Sequence, residues 1–374
     1  MKIGQVVHSY PPHIGGIENY VYRLNQSLSE NGNDARVYTT DYDISKRNIF
    51  EPNVYYCRAN CSFLKNPISI ELYHKLKKSN DDIYHLHGYE FFSSLLATKV
   101  LNGKPKILTQ HGTLDLNTNL ISILLWYPYH PFLQYVLDNV DKILVLGNKD
   151  KNFILNKFDI PCKKLLVVPN GVELERFTSI EKNNENFIKK HGLRASSFKI
   201  LFVGRLARQK NAHKLIRAVS CHLKNENIEV IIIGDGNDEY MAHLRSIGDK
   251  RIHILGKINF GEELIAAYNI SDLFVLLSQF EGLPTVILEA MACGLPILTT
   301  PVGNIPEIIA EGKNGFFIDL DANEKELANK IEYMCNLRDN RIKRANIDLI
   351  RERFNWKLIA KKIYKIYIDV LNDY

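Results

Sequence analysis

Residues 271–303 read SDLFVLLSQFEGLPTVILEAMACGLPILTTPVG, and this stretch decides the fold. The apolar run at 273–277 predicts a buried strand, and the loop after it leads into a helix that begins at Pro284 or Thr285, because proline suits the first helical position. A second short apolar run follows the helix at 296–298. A buried strand, a helix and another buried strand indicate a parallel sheet covered by helices, which is the α/β class.

The same alternation of short β-branched runs and helical segments extends along the whole chain. The pattern begins twice in the same way, at Lys2 and again at Lys199, each time with a strand, a polar loop and a helix. We therefore expect two facing Rossmann-like, doubly wound domains with an interdomain cleft. The strands are predicted at 3–7, 36–39, 83–86, 107–110, 143–146 and 165–168 in the first domain, and at 200–203, 230–233, 252–255, 273–277, 296–298 and 316–318 in the second.

The turn-forming cluster Pro169-Asn170-Gly171 comes directly after a predicted strand and marks the join between the domains. The N-terminal domain is therefore predicted at residues 1–170 and the C-terminal domain at 171–355. Residues 356–374 form an amphipathic helix, with isoleucines on one broad side and lysines largely opposite. We expect this helix to return to the N-terminal domain.

Composition and charge narrow the class of protein. The chain has 374 residues, of which 45% are hydrophobic and 24% charged, as in a packed globular protein of about two domains rather than a collagen-like or disordered chain. The net charge of +6 is not concentrated in any basic tract. It suits an anionic small ligand or a membrane surface better than nucleic acid.

The six cysteines are scattered along the chain and are expected to be reduced thiols, since their spacing makes no zinc site. The N-terminus enters a strand at once, with no pattern of an export signal. No apolar run reaches the roughly 18 residues of a membrane-spanning helix. We expect a cytoplasmic protein, with peripheral association at the cytoplasmic face of a membrane left open.

Two carboxylates flank the start of the helix in the opening stretch. Glu281 lies in the loop and Glu289 just over one turn into the helix, with seven residues between them. Both can face one ligand at the carboxyl edge of the sheet, where a helix N-terminus also attracts phosphate. A carboxylate pairs well with the cis-diol of a ribose. The alternative is that Glu289 is a solvated helix residue, but its apolar neighbours make burial without a partner costly.

Two further features are candidates for binding. Gly15-Gly16 precedes a predicted helix at 17–30, so backbone amides there can approach a phosphate closely. Glu18 is interpreted as an acidic residue that suits the first helical turn, in preference to a catalytic role. The glycine pattern after residue 233 fails as a dinucleotide fingerprint, because Glu239 takes the place of the last glycine, and no P-loop occurs.

Three histidines lie in or directly after predicted strands of the N-terminal domain. His111 comes directly after the strand at 107–110. His85 and His87 alternate along another strand and should point to the same side. They suggest a metal pair, but no third ligand at a telling spacing is evident, so structural or acceptor-site roles are favoured and no metal site is predicted.

Taken together, these residues resemble the retaining glycosyltransferases of the GT-B fold, in the group often called GT4 or glycosyl transferases group 1. The resemblance covers essentially the whole chain. It rests on four motifs in the right order: Gly15-Gly16-Ile17-Glu18, Pro169-Asn170-Gly171-Val172, the segment from Gly204-Arg205-Leu206 to Lys210, and the pair Glu281 and Glu289. Asn211 departs from the pattern, because family members often have glycine there.

The resemblance implies a metal-independent hexosyltransferase that moves a hexose or N-acetylhexosamine from a UDP- or GDP-sugar to a hydroxyl of a glycan or lipid-linked glycan. Its N-terminal domain would be the acceptor side and its C-terminal domain the donor side. The implied catalytic residues are Glu281 against the donor sugar, His111 at a sugar hydroxyl, and Arg205 and Lys210 on the diphosphate. The implied donor-binding residues are Glu289 on the ribose and the backbone of Gly15, Gly16, Gly282, Leu283, Thr285 and Val286.

Two other functions stay open at the level of sequence. One is a GT-B nucleotide-sugar 2-epimerase, and the other is a catalytically silent nucleotide-sugar binding subunit.

The aromatic segment at 120–133 is also ambiguous. Pro128 and Pro131 are expected to break it into a loop and a helix over the domain edge. A sharper hypothesis makes it an acceptor- or lipid-facing surface.

Overall fold

The structure is a computed structural model. It describes residues 1–13, 15–42, 44, 51–63, 66–112, 120–178, 184–337 and 340–374, without the side chains of 120–127. The chain forms two compact units. Unit 1 consists of Met1–Asn170 with Lys357–Tyr374, and unit 2 of Gly171–Trp356.

Unit 1 is built on a parallel sheet whose central strands are almost fully buried. Its strands are β1 (Lys2–Val6), β2 (Asp34–Thr40), β3 (Val54–Cys57), β4 (Cys61–Phe63), β5 (Asn66–Ile68), β6 (Ile83–His87), β7 (Lys106–Gln110), β8 (Lys142–Val145) and β9 (Leu165–Val167). Its first helices are α1 (Gly16–Glu30), α2 (Ile70–Lys77), α3 (Phe92–Val100), α4 (Leu120–Asp138) and α5 (Asn148–Lys157). The sheet order is β3-β2-β1-β6-β7-β8-β9, while β4 and β5 form a separate antiparallel hairpin.

Unit 2 repeats this plan. Its helices are α6 (Leu174–Thr178), α7 (Asn184–Lys190), α8 (Ala212–Arg217), α9 (Asp238–Ile247), α10 (Glu262–Asn269), α11 (Thr285–Ala292), α12 (Glu324–Cys335) and α13 (Asn340–Leu349). Its strands are β10 (Phe198–Val203), β11 (Ile228–Ile233), β12 (Ile252–Gly256), β13 (Leu273–Leu276), β14 (Ile297–Thr299) and β15 (Gly315–Phe317). The parallel sheet has the order β12-β11-β10-β13-β14-β15.

Both sheets reverse their strand order at one point. In unit 1 the reversal lies between β1 and β6, and in unit 2 between β10 and β13. The loops after two neighbouring strands diverge at such a switch point and leave a crevice at the carboxyl ends of the strands, where ligands of this fold class bind. A ligand site is therefore expected at the loops that follow β1, β6, β10 and β13.

The last helix, α14 (Trp356–Asn372), belongs almost entirely to unit 1. Ile363 and Tyr367 are fully buried on its apolar side. On its polar side Lys362 Nζ donates a hydrogen bond to the carbonyl of Val167 at 2.7 Å. The amphipathic pattern of the sequence accounts for this packing, because one stripe is apolar and the lysines lie opposite.

The prediction of the strands is confirmed, and that of the aromatic segment is wrong. Each of the twelve predicted strands is present within two residues at either end. In contrast, α4 runs from Leu120 to Asp138 as one helix that contains Pro128 and Pro131. Both prolines are exposed, so water can bind the backbone carbonyls that their missing N–H groups leave unpaired. Within the described residues, no helix is both long and apolar enough to cross a membrane.

Candidate active site

The switch point of unit 2 brings together the loop 204–211, which follows β10, and the loop 277–284, which follows β13. The backbone N–H of Gln279 donates to the carbonyl of Gln209 at 2.9 Å. This bond ties the two loops directly. Residues that the sequence places about 70 positions apart therefore share one small region at the edge of the sheet.

Lys210 and Glu281 form an ion pair at this point. Glu281 Oε1 accepts hydrogen bonds from Lys210 Nζ and from Ser278 Oγ, the latter at 2.6 Å. The side chains are only 16% and 11% exposed, respectively. Removing one partner of such a shielded pair would leave the other charge poorly compensated, so the two side chains depend on each other. It presents a cation for an anionic group and a carboxylate for hydroxyls or developing positive charge.

Arg205 lies on the same loop as Lys210, but its side chain points into solvent. The residue is exposed, and its guanidinium makes no ion pair with the residues that the structure describes. Its five donors match the oxygens of a phosphate. The structure thus brings Lys210 and Glu281 into contact and leaves Arg205 exposed on the same loop as Lys210.

Asn211 explains how this loop keeps its path without glycine. Its backbone has φ = 54°, in the left-handed region that favours glycine and that asparagine also tolerates. Its side chain is buried, and Nδ2 donates a hydrogen bond to the carbonyl of Leu277 at 2.8 Å. The departure from the family pattern therefore preserves the left-handed turn and adds a link to the loop after β13.

The loop before α11 is held on its other side by the segment after β14. The N–H of Asn304 donates to the carbonyl of Gly282 at 2.9 Å. Gly303 has φ = +58°, and a Cβ there would lie 1.9 Å from the carbonyl oxygen of Glu281. Leu283 is buried and anchors the loop in the core. Close backbone packing thus fixes the loop that carries Glu281.

The start of α11 faces the same edge of the sheet. Pro284 occupies the cap position, and no side chain accepts a cap hydrogen bond there. Thr285 and Val286 form the first turn and are partly exposed, whereas Ile287 and Leu288 are fully buried. The first amides of a helix have no partner within the helix, and the helix dipole favours negative charge at this end.

Glu289 is partly buried on α11 and has a specific partner. Tyr268, on α10, donates its hydroxyl hydrogen to Glu289 Oε2 at 2.7 Å. Tyr268 is fully buried, and burial followed by the charge of Glu289 raises the pKa of its hydroxyl well above the ordinary value, so it stays a donor. The alternative of a solvated Glu289 is wrong, because a buried phenol orients the carboxylate.

The switch point of unit 1 carries a different cluster. Gly15 caps α1 in an extended conformation, and a Cβ on it would lie 2.2 Å from Glu18 Oε2. A Cβ on Gly16 would meet no described atom within 4 Å. Glu18 is buried, accepts a hydrogen bond from Ser9 Oγ, and lies 3.2 Å from His13 Nδ1. Glu18 therefore packs directly against Gly15 at the N-terminus of α1 and leaves no room for a side chain there.

His111 lies at the end of a chain of buried polar groups. Its Nε2 is 3.1 Å from His87 Nδ1, and His87 Nε2 is 2.8 Å from Gln5 Oε1. Tyr20 packs edge-on against His111, with ring centroids 4.7 Å apart. Burial, and then the nearby His8, lowers the pKa of His111 to about 3. His111 is therefore neutral at physiological pH.

His85 and His87 point to the same side of their strand, as predicted, and stack with centroids 4.3 Å apart. Burial lowers both of their pKa values well below the ordinary value. His85 bonds to Tyr367 and Thr109 through its two ring nitrogens. Across the described parts of the chain, no group of three His, Cys, Asp or Glu residues is arranged to hold a metal ion.

Several residues of these clusters escape sequence reasoning. Tyr268 and Ser278 support the two glutamates, and Gln5 and Tyr367 support the histidines. Only Ser278 has a local signal, since it lies three residues before Glu281. The others reach the site from distant elements, and no spacing in the sequence indicates them.

Comparison with known proteins agrees with this architecture. The sequence model of glycosyl transferases group 1 matches residues 183–348, and that of glycosyltransferase family 4 matches residues 14–176. The UDP-Gal:alpha-D-GlcNAc-diphosphoundecaprenol alpha-1,3-galactosyltransferase of Escherichia coli is 30% identical over 89% of this chain and 86% of its own length. The chain belongs to the group 1 glycosyltransferases.

Two further proteins are similar to this chain over nearly its whole length. The N-acetyl-alpha-D-glucosaminyl L-malate synthase of Bacillus anthracis is 25% identical over 100% of this chain and 98% of its own length. The crystal structure of Anabaena HepE in complex with UDP-glucose superposes with a TM-score of 0.81, at 18% identity, over 99% of this chain and 100% of that chain. This similarity establishes the GT-B fold.

Proposed function

We propose that the protein transfers a hexose or N-acetylhexosamine from a UDP-sugar to a hydroxyl of a lipid-linked glycan, with retention of the anomeric configuration. The observation that carries the proposal is the ion pair of Lys210 and Glu281 beside the N-terminus of α11, at the switch point of unit 2. A cation, a helix N-terminus and a carboxylate at one edge suit a sugar attached to a diphosphate. GDP-sugars are the alternative donors.

The names of similar proteins support the choice of donor and acceptor. The E. coli relative acts, by its name, with UDP-Gal on a GlcNAc-diphosphoundecaprenol, and HepE was crystallised with UDP-glucose. Both the E. coli and the B. anthracis names describe α-linked products. Because the sugar of UDP-galactose is itself α-linked, an α product means retention, and we extend that outcome to this chain.

In the proposed reaction, the bond between the anomeric carbon and the diphosphate breaks as the acceptor hydroxyl bonds to that carbon from the same face. The acceptor proton passes to an oxygen of the departing diphosphate. Lys210 and Arg205 stabilise the negative charge that develops there, and we propose that these two cations serve without a metal ion. Glu281 lies against a sugar that resembles an oxocarbenium ion at the transition state.

The remaining site residues bind the donor. Glu289, oriented by Tyr268, accepts hydrogen bonds from the two ribose hydroxyls. Backbone amides near Gly282, Leu283, Thr285 and Val286 border the phosphates and the sugar, and those at Gly15 and Gly16 can approach closely because no Cβ intervenes. His111 accepts a hydrogen bond from a sugar hydroxyl.

The first test measures the melting temperature of the full chain with UDP-, GDP- and ADP-sugars, because a bound ligand stabilises by mass action. We expect UDP-sugars to stabilise most. The stabilising donor is then incubated with GlcNAc-diphosphate-lipid and other acceptors, and the products are resolved by mass spectrometry and NMR.

Sugar transfer with an α linkage supports the proposal. Conversion of the donor sugar to its 2-epimer in the absence of any acceptor would instead identify a 2-epimerase. If the protein binds the donor but neither transfers the sugar nor slowly hydrolyses the donor, it is a catalytically silent binding subunit.

A further inference from the structure

Three neutral histidines of unit 1 belong to one continuous hydrogen-bonded chain. The chain starts at Thr109, passes through His85 to Tyr367 of α14, and continues through Gln5 and His87 to His111 (contacts of 2.6, 2.7, 3.3, 2.8 and 3.1 Å). All of these residues except His111 are fully buried. A neutral imidazole has one N–H and one lone pair, so each histidine inside the chain must donate through one nitrogen and accept through the other.

The direction of the chain follows from Gln5. Its Oε1, which can only accept, faces His87 Nε2 at 2.8 Å, and its Nε2 faces the hydroxyl of Tyr367 at 3.3 Å. The longer contact suits an N–H donor better than an O–H donor, which prefers about 2.7–2.8 Å. His87 therefore carries its proton on Nε2 and accepts through Nδ1. The group that faces His87 Nδ1 is His111 Nε2, which must then be the donor.

We propose that Gln5 and His87 are positioning residues that hold His111 as the tautomer with its proton on Nε2, so that His111 presents the lone pair of Nδ1 as a hydrogen-bond acceptor. His111 is partly exposed, and the hydrogen bond to His87 is its only one to the described residues. This inference rests on the proposed function for its consequence: a ligand group that meets Nδ1 must be a donor, which a sugar hydroxyl is and a deprotonated phosphate oxygen is not.

The hydrogen-bonded chain is anchored in α14 by Tyr367. Tyr367 accepts from Gln5 Nε2 and donates to His85 Nδ1, which fixes the orientation of the Gln5 amide. The C-terminal helix thus determines, through Gln5, which nitrogen of His111 carries the proton. The reversed chain, with the Gln5 amide flipped and the His111 proton on Nδ1, would offer a donor to the ligand instead.

The test is NMR of the full chain labelled with ¹⁵N-histidine, without ligand, at pH 7.5. Long-range proton–nitrogen correlations identify which ring nitrogen carries the proton. His111→Asn assigns the His111 signals by their loss. We expect a protonated Nε2 and an unprotonated Nδ1 in His111. A protonated Nδ1 would overturn the proposal whatever the activity of the protein, whereas the expected tautomer without turnover of any UDP-sugar would overturn only the proposed function.

Two variants of Gln5 test the direction of the chain. Gln5→Glu keeps an acceptor opposite His87 but cannot donate, so it should preserve the His111 tautomer. Gln5→Leu removes the acceptor, so the His111 signals should shift towards a mixture of tautomers, and kcat with a UDP-sugar should fall about tenfold at unchanged affinity for UDP. His253→Asn, in unit 2, is the matched control and should change neither. Loss of the tautomer in Gln5→Glu but not in Gln5→Leu would contradict the proposal.

Discussion

Neutralising either partner of the Lys210–Glu281 pair should have opposite effects on the binding of a nucleoside diphosphate. Lys210→Met removes the cation and leaves the Glu281 carboxylate beside the phosphates. A hydrogen bond to a charged group contributes about 1.5–3 kcal/mol, so UDP should bind roughly 10- to 150-fold more weakly. Glu281→Gln removes the competing anion and frees Lys210 Nζ, so UDP should bind as tightly as to the wild type, or up to about tenfold more tightly.

The assay is isothermal titration calorimetry of UDP at low and high salt, with the melting temperature of each variant measured in parallel. The matched control is the pair of Lys190 and Glu263 in the same unit, whose side chains are 61% and 38% exposed. Exposed pairs contribute little, so Lys190→Met and Glu263→Gln should leave UDP affinity unchanged. Equal weakening by Lys210→Met and Glu281→Gln would refute the reasoning, because it would mean that the pair acts only as a structural unit.

Other contacts lead to three further predictions. Tyr268→Phe removes the hydrogen bond to Glu289 and should weaken UDP binding about 2- to 12-fold in the same titration, whereas an unchanged affinity would mean that Glu289 does not depend on Tyr268. Asn211→Gly keeps the left-handed turn but loses the hydrogen bond to Leu277, so it should lower the melting temperature modestly, whereas Asn211→Val should lower it much further, because a β-branched residue does not tolerate φ = 54°. Burial raises the pKa of the Glu90 carboxyl to about 7. The folded state then binds more protons than the unfolded state between about pH 4.5 and pH 7, so stability falls as the pH rises through this window. Glu90→Gln should therefore stabilise the protein by at most about 3 kcal/mol at pH 8 and hardly at all at pH 4, measured by urea unfolding.

The sequence predicts most of the two sheets because buried parallel strands leave a local signal. Runs such as residues 200–203 and 230–233 are uniformly apolar and bounded by polar turns, and both are strands of unit 2. Strand β3 and the hairpin of β4 and β5 were not predicted, because most of their residues are exposed or only partly buried and no run of aliphatic residues marks them. The helix α4 was wrongly predicted to break, since the cost of a proline depends on whether water reaches the backbone, which is a property of the folded unit.

Sequence spacing indicates those candidate site residues that lie close together along the chain. Glu281 lies in the loop before α11 and Glu289 lies within that helix, so their spacing alone places both near its N-terminal half. The sequence indicates Glu281 and Lys210 separately as site residues, but it does not predict the ion pair that they form. The partners that orient the carboxylates and histidines come from other elements, as Tyr268 does from α10 and Tyr367 from α14. Side-chain hydrogen bonds of this kind depend on tertiary packing, and no local pattern encodes them.

The most direct test of the central claim is the rate at which the purified full chain consumes a UDP-sugar, with Lys210→Met, Glu289→Gln and the control Lys190→Met assayed beside it. We predict that the wild type and Lys190→Met release UDP at the same rate in the presence of a lipid-linked acceptor. Glu289→Gln should need more donor to reach that rate, and Lys210→Met should lose at least about 100-fold in kcat, the effect of removing one preorganised group that stabilises transition-state charge. Release of UDP by Lys210→Met at the wild-type rate would contradict the assignment of the active site to the switch point of unit 2.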